Sequence, residues 1–243
     1  MKRKKCLVCG SLDTSKIIDL GMHPFADTFV DKEFYNNRLP TYNLSCAICN
    51  NCKHVQTTTI TPDSDRYNLF DYSYTSSNSS VSRSHWDKFA EEVVKFTHCL
   101  KGRVCEIGSN DGYLLKRFLK KDCDVLGIDA SENMTKLSNS NKIKTINLIF
   151  DYNSSALVQK KHGEFDIVIA NNVFNHSNDP VSFARGVNRI LKSNGFYIFE
   201  VPYWKCSVES NKIDQIYHEH VSYFTGRSVK EIMELTGFQV NGI

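Results

Sequence analysis

From residue 103 the chain alternates short apolar runs with stretches in which apolar residues return every three or four positions. Gly, Asn, Asp or Pro marks most of the changes. The runs predict strands at residues 103–107, 124–129, 145–150, 165–170 and 196–201, and the longer period predicts helices at 112–120, 131–139, 153–161 and 180–191. Strand alternating with helix is the order of a parallel, doubly wound α/β sheet, because a parallel neighbour is reached only through a crossover. Asp179-Pro180 strengthens the last helix, as an N-cap followed by proline at the first helical position. Phe238-Gln-Val240 reads as the start of a sixth strand.

Upstream the pattern is less regular. Trp86, Phe89, Ala90, Val93 and Val94 recur at helical spacing and predict a helix packed on the sheet. The preceding Asp71 to Ser84 is rich in serine; it reads as a linker, or as a loop whose hydroxyls, aromatics and Arg83 grip a polar substrate. Val55 to Ile60 is β-branched and predicts a strand closing a small N-terminal domain. Asp19 to Phe29, with Gly21 and Pro24, reads as a turn-rich segment that leaves His23 in a surface loop. The chain thus divides into a domain over 1–70, a loop and connecting helix over 71–100, and an α/β domain over 101–243.

In sheets of this class a ligand sits beyond the carboxyl ends of the strands. Glu106, Gly108, Asp129, Asp151, Asn171 and Asn172 all fall there. Gly108-Ser-Asn-Asp-Gly112 is a glycine turn between strand and helix, so Gly108, Asn110 and Gly112 let backbone approach a ligand. Asp129 ends the second strand, where a carboxylate can accept both hydroxyls of a ribose. The turn lacks the middle glycine that seats a pyrophosphate, so S-adenosylmethionine suits it better than NAD. Asp151 and the asparagine pair have the simpler reading of helix and turn caps.

Composition narrows the class. The 243 residues carry 30 basic and 27 acidic side chains, a net charge of +3, with no long single-sign run after Lys2 to Lys5. Nothing there asks for nucleic acid or a membrane surface, and no apolar run reaches membrane-spanning length. The expected compartment is a reducing cytoplasm, where the nine cysteines are metal ligands or small core residues rather than disulfides. Cys6-x-x-Cys9 and Cys46-x-x-Cys49-x-x-Cys52 supply one thiol more than a four-cysteine structural zinc site needs. Cys6, Cys9, Cys49 and Cys52 are the chosen ligands; Cys46 is spare, His54 lies within reach, and unmetallated thiols are the plain alternative.

Six stretches together carry a family resemblance: Asp19-Leu-Gly-Met-His-Pro24, Cys49-x-x-Cys52-x-x-Val-Gln56, Tyr72-x-Tyr74-x-Ser76, Glu106-Ile-Gly-Ser-Asn-Asp-Gly-Tyr-Leu-Leu115, Ala170-Asn-Asn-Val173-x-x-His176 and Tyr217-His-Glu-His-Val-Ser-Tyr223. In this order they resemble the sugar C-methyltransferases, S-adenosylmethionine-dependent enzymes that methylate a ring carbon of nucleotide-linked 4-keto deoxysugars. The resemblance implies a class I methyltransferase sheet, a structural zinc in the N-terminal domain and a nucleotide-sugar substrate. It makes His220 the candidate base, with Tyr217 and Glu219 beside the enolate or sugar, and Tyr74 and His176 at other active-site positions. His218 is expected to be structural. Glu106, Gly108, Asp129 and Asn171 would hold the cofactor.

The chemistry asks for such a group: carbon beside a ketone becomes nucleophilic only after losing a proton, to a base that titrates near working pH. The family continues into a further C-terminal domain, so the expectation is an exposed sheet edge and an incomplete acceptor site unless a second chain supplies the missing part. Two other readings stand beside this one. They are methyl transfer to oxygen or nitrogen of another small molecule, and a catalytically silent, zinc-stabilised assembly subunit.

Overall fold

The protein is described here by a computed structural model covering residues 2–26, 32, 39–62, 66 and 75–243. In chain order the strands are β1 (Thr14–His23), β2 (Tyr42–Cys49), β3 (Val55–Thr57), β4 (Arg103–Ile107), β5 (Asp124–Asp129), β6 (Thr145–Asn147), β7 (Phe165–Ile169), β8 (Leu191–Ile198) and β9 (Ser222–Tyr223). The α-helices are α1 (Ser80–Thr97), α2 (Tyr113–Leu119), α3 (Glu132–Ser140), α4 (Tyr152–His162), α5 (Pro180–Ile190), α6 (Trp204–Glu209) and α7 (Gly226–Leu235). The chain falls into two compact units: one is Met1–Asp71, Phe174–Ala184 and Val201–Ile243, and the other is Tyr72–Val173 and Arg185–Glu200. Residues 174–184 and 201–243 therefore group with the N-terminal part rather than with the sheet beginning at residue 103.

The second unit is built on a parallel sheet in the order β6-β5-β4-β7-β8 among the described residues. Its central strands are apolar on both faces because helices cover both. Val104, Ile167 and Ile169 join Leu114, Leu115 and Phe118 of α2 and Trp86, Ala90, Val93 and Val94 of α1 in one buried cluster. Each Val, Leu, Ile or Phe among them contributes roughly 1.5–3 kcal/mol on leaving water. α1 starts where the Ser79 side chain accepts the Ser82 N–H, and stops at His98, which is left-handed at φ 53°. Asp179 caps α5 by accepting the Ser182 N–H at 2.9 Å.

Three details differ from the sequence expectation. β8 begins at Leu191 and ends at Ile198, so it starts earlier than the predicted strand at 196–201. β6 stops at Asn147, and the next N–H, of Leu148, donates to the Asp129 carbonyl. Residues 238–240 form no strand, since the Phe238 N–H turns back to the Met233 carbonyl and closes the end of α7.

The first unit carries an antiparallel sheet in the order β1-β2-β3-β9. Asp19 to His23 belongs to β1 rather than to a loop. Two register shifts against β2, between Lys16 and Ile18 and between Asp19 and Met22, absorb the irregular sequence, with Gly21 at φ +82° in the second. The β-branched run after Cys52 forms a strand as far as Thr57, and Thr59 beyond it makes an isolated antiparallel bridge with Lys2. β9 pairs with β3 across more than half of the chain, with Gln56 opposite Ser222. No helix among the described residues is long and apolar enough to cross a membrane.

Candidate functional site

In the first unit the sulfurs of Cys6, Cys9, Cys49 and Cys52 all lie within 4.8 Å of one another, with Cys6 and Cys52 at 3.5 Å and Cys9 and Cys49 at 3.6 Å. A tetrahedral zinc with sulfur ligands at about 2.3 Å spaces them by about 3.8 Å, so the four thiols fit that ion. Burial pushes the Cys6 thiol up to about 11. Cys9, which burial also pushes up, is brought down to about 7 by the Ser11 backbone and the neighbouring thiols. A divalent cation would supply the charge that holds all four as thiolates. Cys46 is buried outside this group. His54 also stands apart; its Nε2 lies 3.2 Å from the Ser222 hydroxyl, and burial lowers it to about 3.

The knuckles are tied to the sheet. The Gln56 side chain accepts the Leu7 N–H at 2.8 Å and donates to the Lys5 carbonyl at 2.9 Å, which docks the first knuckle on β3. The Thr57 N–H donates to Val221 O at 2.9 Å. The strand that follows the last of the four clustered cysteines thereby fixes the backbone next to His220.

His220 is buried and carries a defined tautomer. A carbonyl only accepts, so the 2.9 Å contact from His220 Nδ1 to Gln215 O places the ring proton on Nδ1. Nε2 is left as acceptor, and the Tyr217 hydroxyl donates to it at 2.7 Å. Burial takes His220 down to about 4, only partly opposed by the Gln215 carbonyl. The sequence-based expectation of a group titrating near neutrality is corrected: desolvation outweighs the one stabilising acceptor, and the ring is neutral at pH 7. His176 has its ring centroid 5.3 Å from that of His220 and is also driven down, first by burial and then by His220 and Arg66. Arg66 donates to the His176 carbonyl at 2.8 Å. Glu219 is buried in the same segment. His218 faces elsewhere, packing on Phe25 and Tyr42 with Nε2 3.1 Å from the Tyr42 carbonyl. Tyr74 lies outside the described residues.

In the second unit the strand ends carry a different chemistry. Gly108 stands at φ +74°, and a Cβ there would meet Val173 Cγ2 at 2.1 Å, so only glycine fits between β4 and the turn after β7. Asp129 accepts the Asn110 N–H and the Ser131 N–H, each at 2.8 Å, one on each oxygen. Each oxygen keeps a lone pair for a ligand hydroxyl. Burial pushes Glu106 well above the usual carboxylate range, and the Asp111 and Asp129 carboxylates add to the effect. Glu106 Oε2 and Asn171 Nδ2 are buried without a hydrogen-bond partner among the described residues, at the ends of β4 and β7. Crowded acids with an orphaned oxygen suit a polar ligand that brings positive charge, as a sulfonium and an ammonium do. Asn171 Oδ1 accepts the Glu200 N–H at 2.9 Å and the Asn172 N–H donates to Glu200 O at 2.6 Å, so this pair also ties β7 to the backbone beyond β8. The Gly112 N–H closes the turn onto Ser109 O. Asp151 caps α4 in a reciprocal box with Ser154, which accounts for it without a ligand.

Asp111 was missed at the level of sequence. Its carboxylate is buried and receives Ser76 and Ser77, a role that its neighbours in sequence do not announce.

The chain was compared with known proteins. Residues 83–241 match a family model described as "Methyltransferase domain". Residues 6–67 match one described as "Putative zinc binding domain". The C-methyltransferase NovU of Streptomyces niveus is 28% identical over 243 residues, covering 97% of this chain and 56% of that protein. A ubiquinone biosynthesis O-methyltransferase of Methylococcus capsulatus is 30% identical over 104 residues, 41% of this chain and 44% of that protein. The chain thus spans about half the length of the curated relatives it matches. Among solved structures, a SAM-dependent methyltransferase from Archaeoglobus fulgidus has a TM-score of 0.52 at 17% identity, covering 65% of this chain and 69% of that one. That likeness shows the class I methyltransferase fold.

Proposed function

From the premise that this chain belongs to the methyltransferase-domain family, we propose that it transfers a methyl group from S-adenosylmethionine to carbon, on a nucleotide-linked 4-keto deoxysugar. The observation that carries the choice of carbon is the buried Tyr217–His220 pair, a neutral imidazole whose unprotonated nitrogen accepts a phenol hydroxyl. The likeness to the C-methyltransferase NovU over 97% of the chain supports it.

In this reading Asp129 takes the ribose hydroxyls, while Glu106, Gly108, Asn110, Gly112, Asn171 and Asn172 complete the cofactor site. When bound, the cofactor supplies a methyl already activated on a sulfonium. On substrate binding the Tyr217 hydroxyl would turn from His220 Nε2 to the oxygen that becomes an enolate, which leaves Nε2 open to take the proton from the carbon beside the ketone. Glu219 and His176, in the same unit as His220, are assigned to the sugar, and the role given to Tyr74 rests on the family resemblance alone. Burial keeps His220 unprotonated, so it is ready to accept a proton, and a negatively charged product beside it raises its affinity for that proton. Cys6, Cys9, Cys49 and Cys52 would hold a zinc whose contribution is a cross-link, with no open ligand position for chemistry.

The test is transfer of a labelled methyl to a panel of nucleotide-linked keto sugars, with the product read by NMR. A new carbon–carbon bond next to the ketone, lost in His220→Asn while cofactor binding persists, is expected. A methyl on oxygen or nitrogen would overturn the reading. Transfer to oxygen is the second reading, favoured by the likeness to a ubiquinone biosynthesis O-methyltransferase, and it predicts activity that survives His220→Asn.

A further inference from the structure

Ser76 and Ser77 sit in what the sequence presents as a linker, yet each of their polar atoms is hydrogen-bonded. The Ser76 N–H donates to Asn110 Oδ1 at 2.9 Å, its hydroxyl to Asp111 Oδ1 at 2.7 Å, and its carbonyl accepts the Trp86 indole N–H at 3.2 Å. The Ser77 N–H donates to Asp111 Oδ2 at 3.2 Å, its hydroxyl donates to the same oxygen, and its carbonyl accepts from Arg83 at 2.8 Å. The Tyr113 N–H also donates to Asp111 Oδ1, at 3.1 Å. One buried carboxylate thus gathers four donors, three of them from a segment 34 or 35 residues away.

A linker has no use for this. Fixing two residues costs backbone entropy, and several hydrogen bonds to one buried carboxylate offset that cost. The segment is held at one place, and that place is the glycine turn. Asn110 accepts the Ser76 N–H on its side chain and donates its own N–H to Asp129. The carboxylate assigned to the ribose and the serine segment are therefore joined through a single residue.

We propose that Asp111 is a positioning residue that latches Ser76 and Ser77 onto the cofactor turn, so that occupancy of the cofactor site and seating of this segment favour each other. The inference rests on the cofactor reading given above. A ligand that orders Asn110 and Asp129 strengthens the seat for Ser76. Conversely, a seated Ser76 holds Asn110 in its left-handed conformation, φ 50°, with its N–H on Asp129. Such coupling is reciprocal by necessity.

The test uses the full chain with S-adenosylhomocysteine as probe, reading affinity by calorimetry and the exchange of the Ser76 and Ser77 amide hydrogens by mass spectrometry. In the parent protein the probe is expected to slow exchange at both amides. Asp111→Asn is expected to weaken binding about five- to tenfold and to abolish the added protection, the size usual for coupled sites. Ser77→Ala, which keeps its N–H and loses one hydroxyl, serves as a milder second variant with a smaller loss in the same direction. Variants that melt like the parent, bind the probe as tightly and gain the same protection would overturn the latch alone. A parent that binds no probe would overturn the cofactor reading, and the latch with it.

Discussion

Acidification gives a direct test of the buried imidazole. His220 is about 5% exposed, and burial lowers it from its ordinary 6.5 to about 4. On unfolding it regains water and binds a proton whenever the pH lies between those two values. The unfolded chain then holds more protons than the folded one, so stability rises with pH across that window and is lost as pH falls through it. At about 1.4 kcal/mol per unit, the loss from this one ring is about 2 kcal/mol between about pH 7 and pH 5, and about 3 kcal/mol by about pH 4. His176, driven down by burial, His220 and Arg66, acts in the same direction. The assay is urea unfolding of the wild type and His220→Asn at both pH values. Acid weakens metal binding in both proteins, so the quantity of interest is the difference between their pH sensitivities. The variant is expected to lose about 2 kcal/mol less than the wild type on going to about pH 5. Equal losses, or an NMR titration placing His220 near 6.5, would refute the argument from burial.

Other outcomes follow from the same geometry. Removing the metal with a chelator, or Cys6→Ser, should unfold the first unit, since structural zinc contributes on the order of 10 kcal/mol; one zinc per chain by elemental analysis and loss of near-ultraviolet dichroism check this. Because β3 follows Cys52 and pairs with β9, the same treatment should shift the NMR signal of His220 before any substrate is added. Gly108→Ala places a Cβ 2.1 Å from Val173 Cγ2 in a left-handed turn, and a loss of at least about 2 kcal/mol is expected in thermal unfolding. Asp129→Asn keeps the shape but leaves one backbone N–H facing an amide nitrogen; S-adenosylmethionine affinity by calorimetry should fall about tenfold or more, with a loss of about 1–3 kcal/mol in thermal unfolding.

The parallel sheet was readable because strands buried on both faces are near-continuous apolar runs, and each ends in residues such as Glu106-Ile-Gly108, Asp129 or Asn171 that break the pattern. Of the antiparallel sheet only β3 was, from its β-branched run. Strand β1 carries two register shifts that destroy the period-two signal, and Gly21 and Pro24 look like loop residues when the bulge is unseen. The depressed affinity of His220 for protons was also hidden. It depends on burial beside β9, a two-residue strand whose partner, β3, lies 166 residues away at Gln56 and Ser222. Asp111 was hidden for a similar reason, because its donors come from a serine run that composition assigns to a linker. Spacing carries local chemistry such as the two cysteine knuckles well. It carries almost nothing about which distant backbone will satisfy a buried carboxylate.

The central claim is that an unprotonated imidazole at residue 220 removes the proton beside a ketone. It is tested most directly by incubating the full chain with a nucleotide-linked 4-keto deoxysugar and S-adenosylhomocysteine in deuterated water. Deuterium should enter at the carbon next to the ketone, and His220→Asn should abolish its entry while the variant still binds the nucleoside. No entry with the wild-type chain, or equal entry with the variant, would contradict the account.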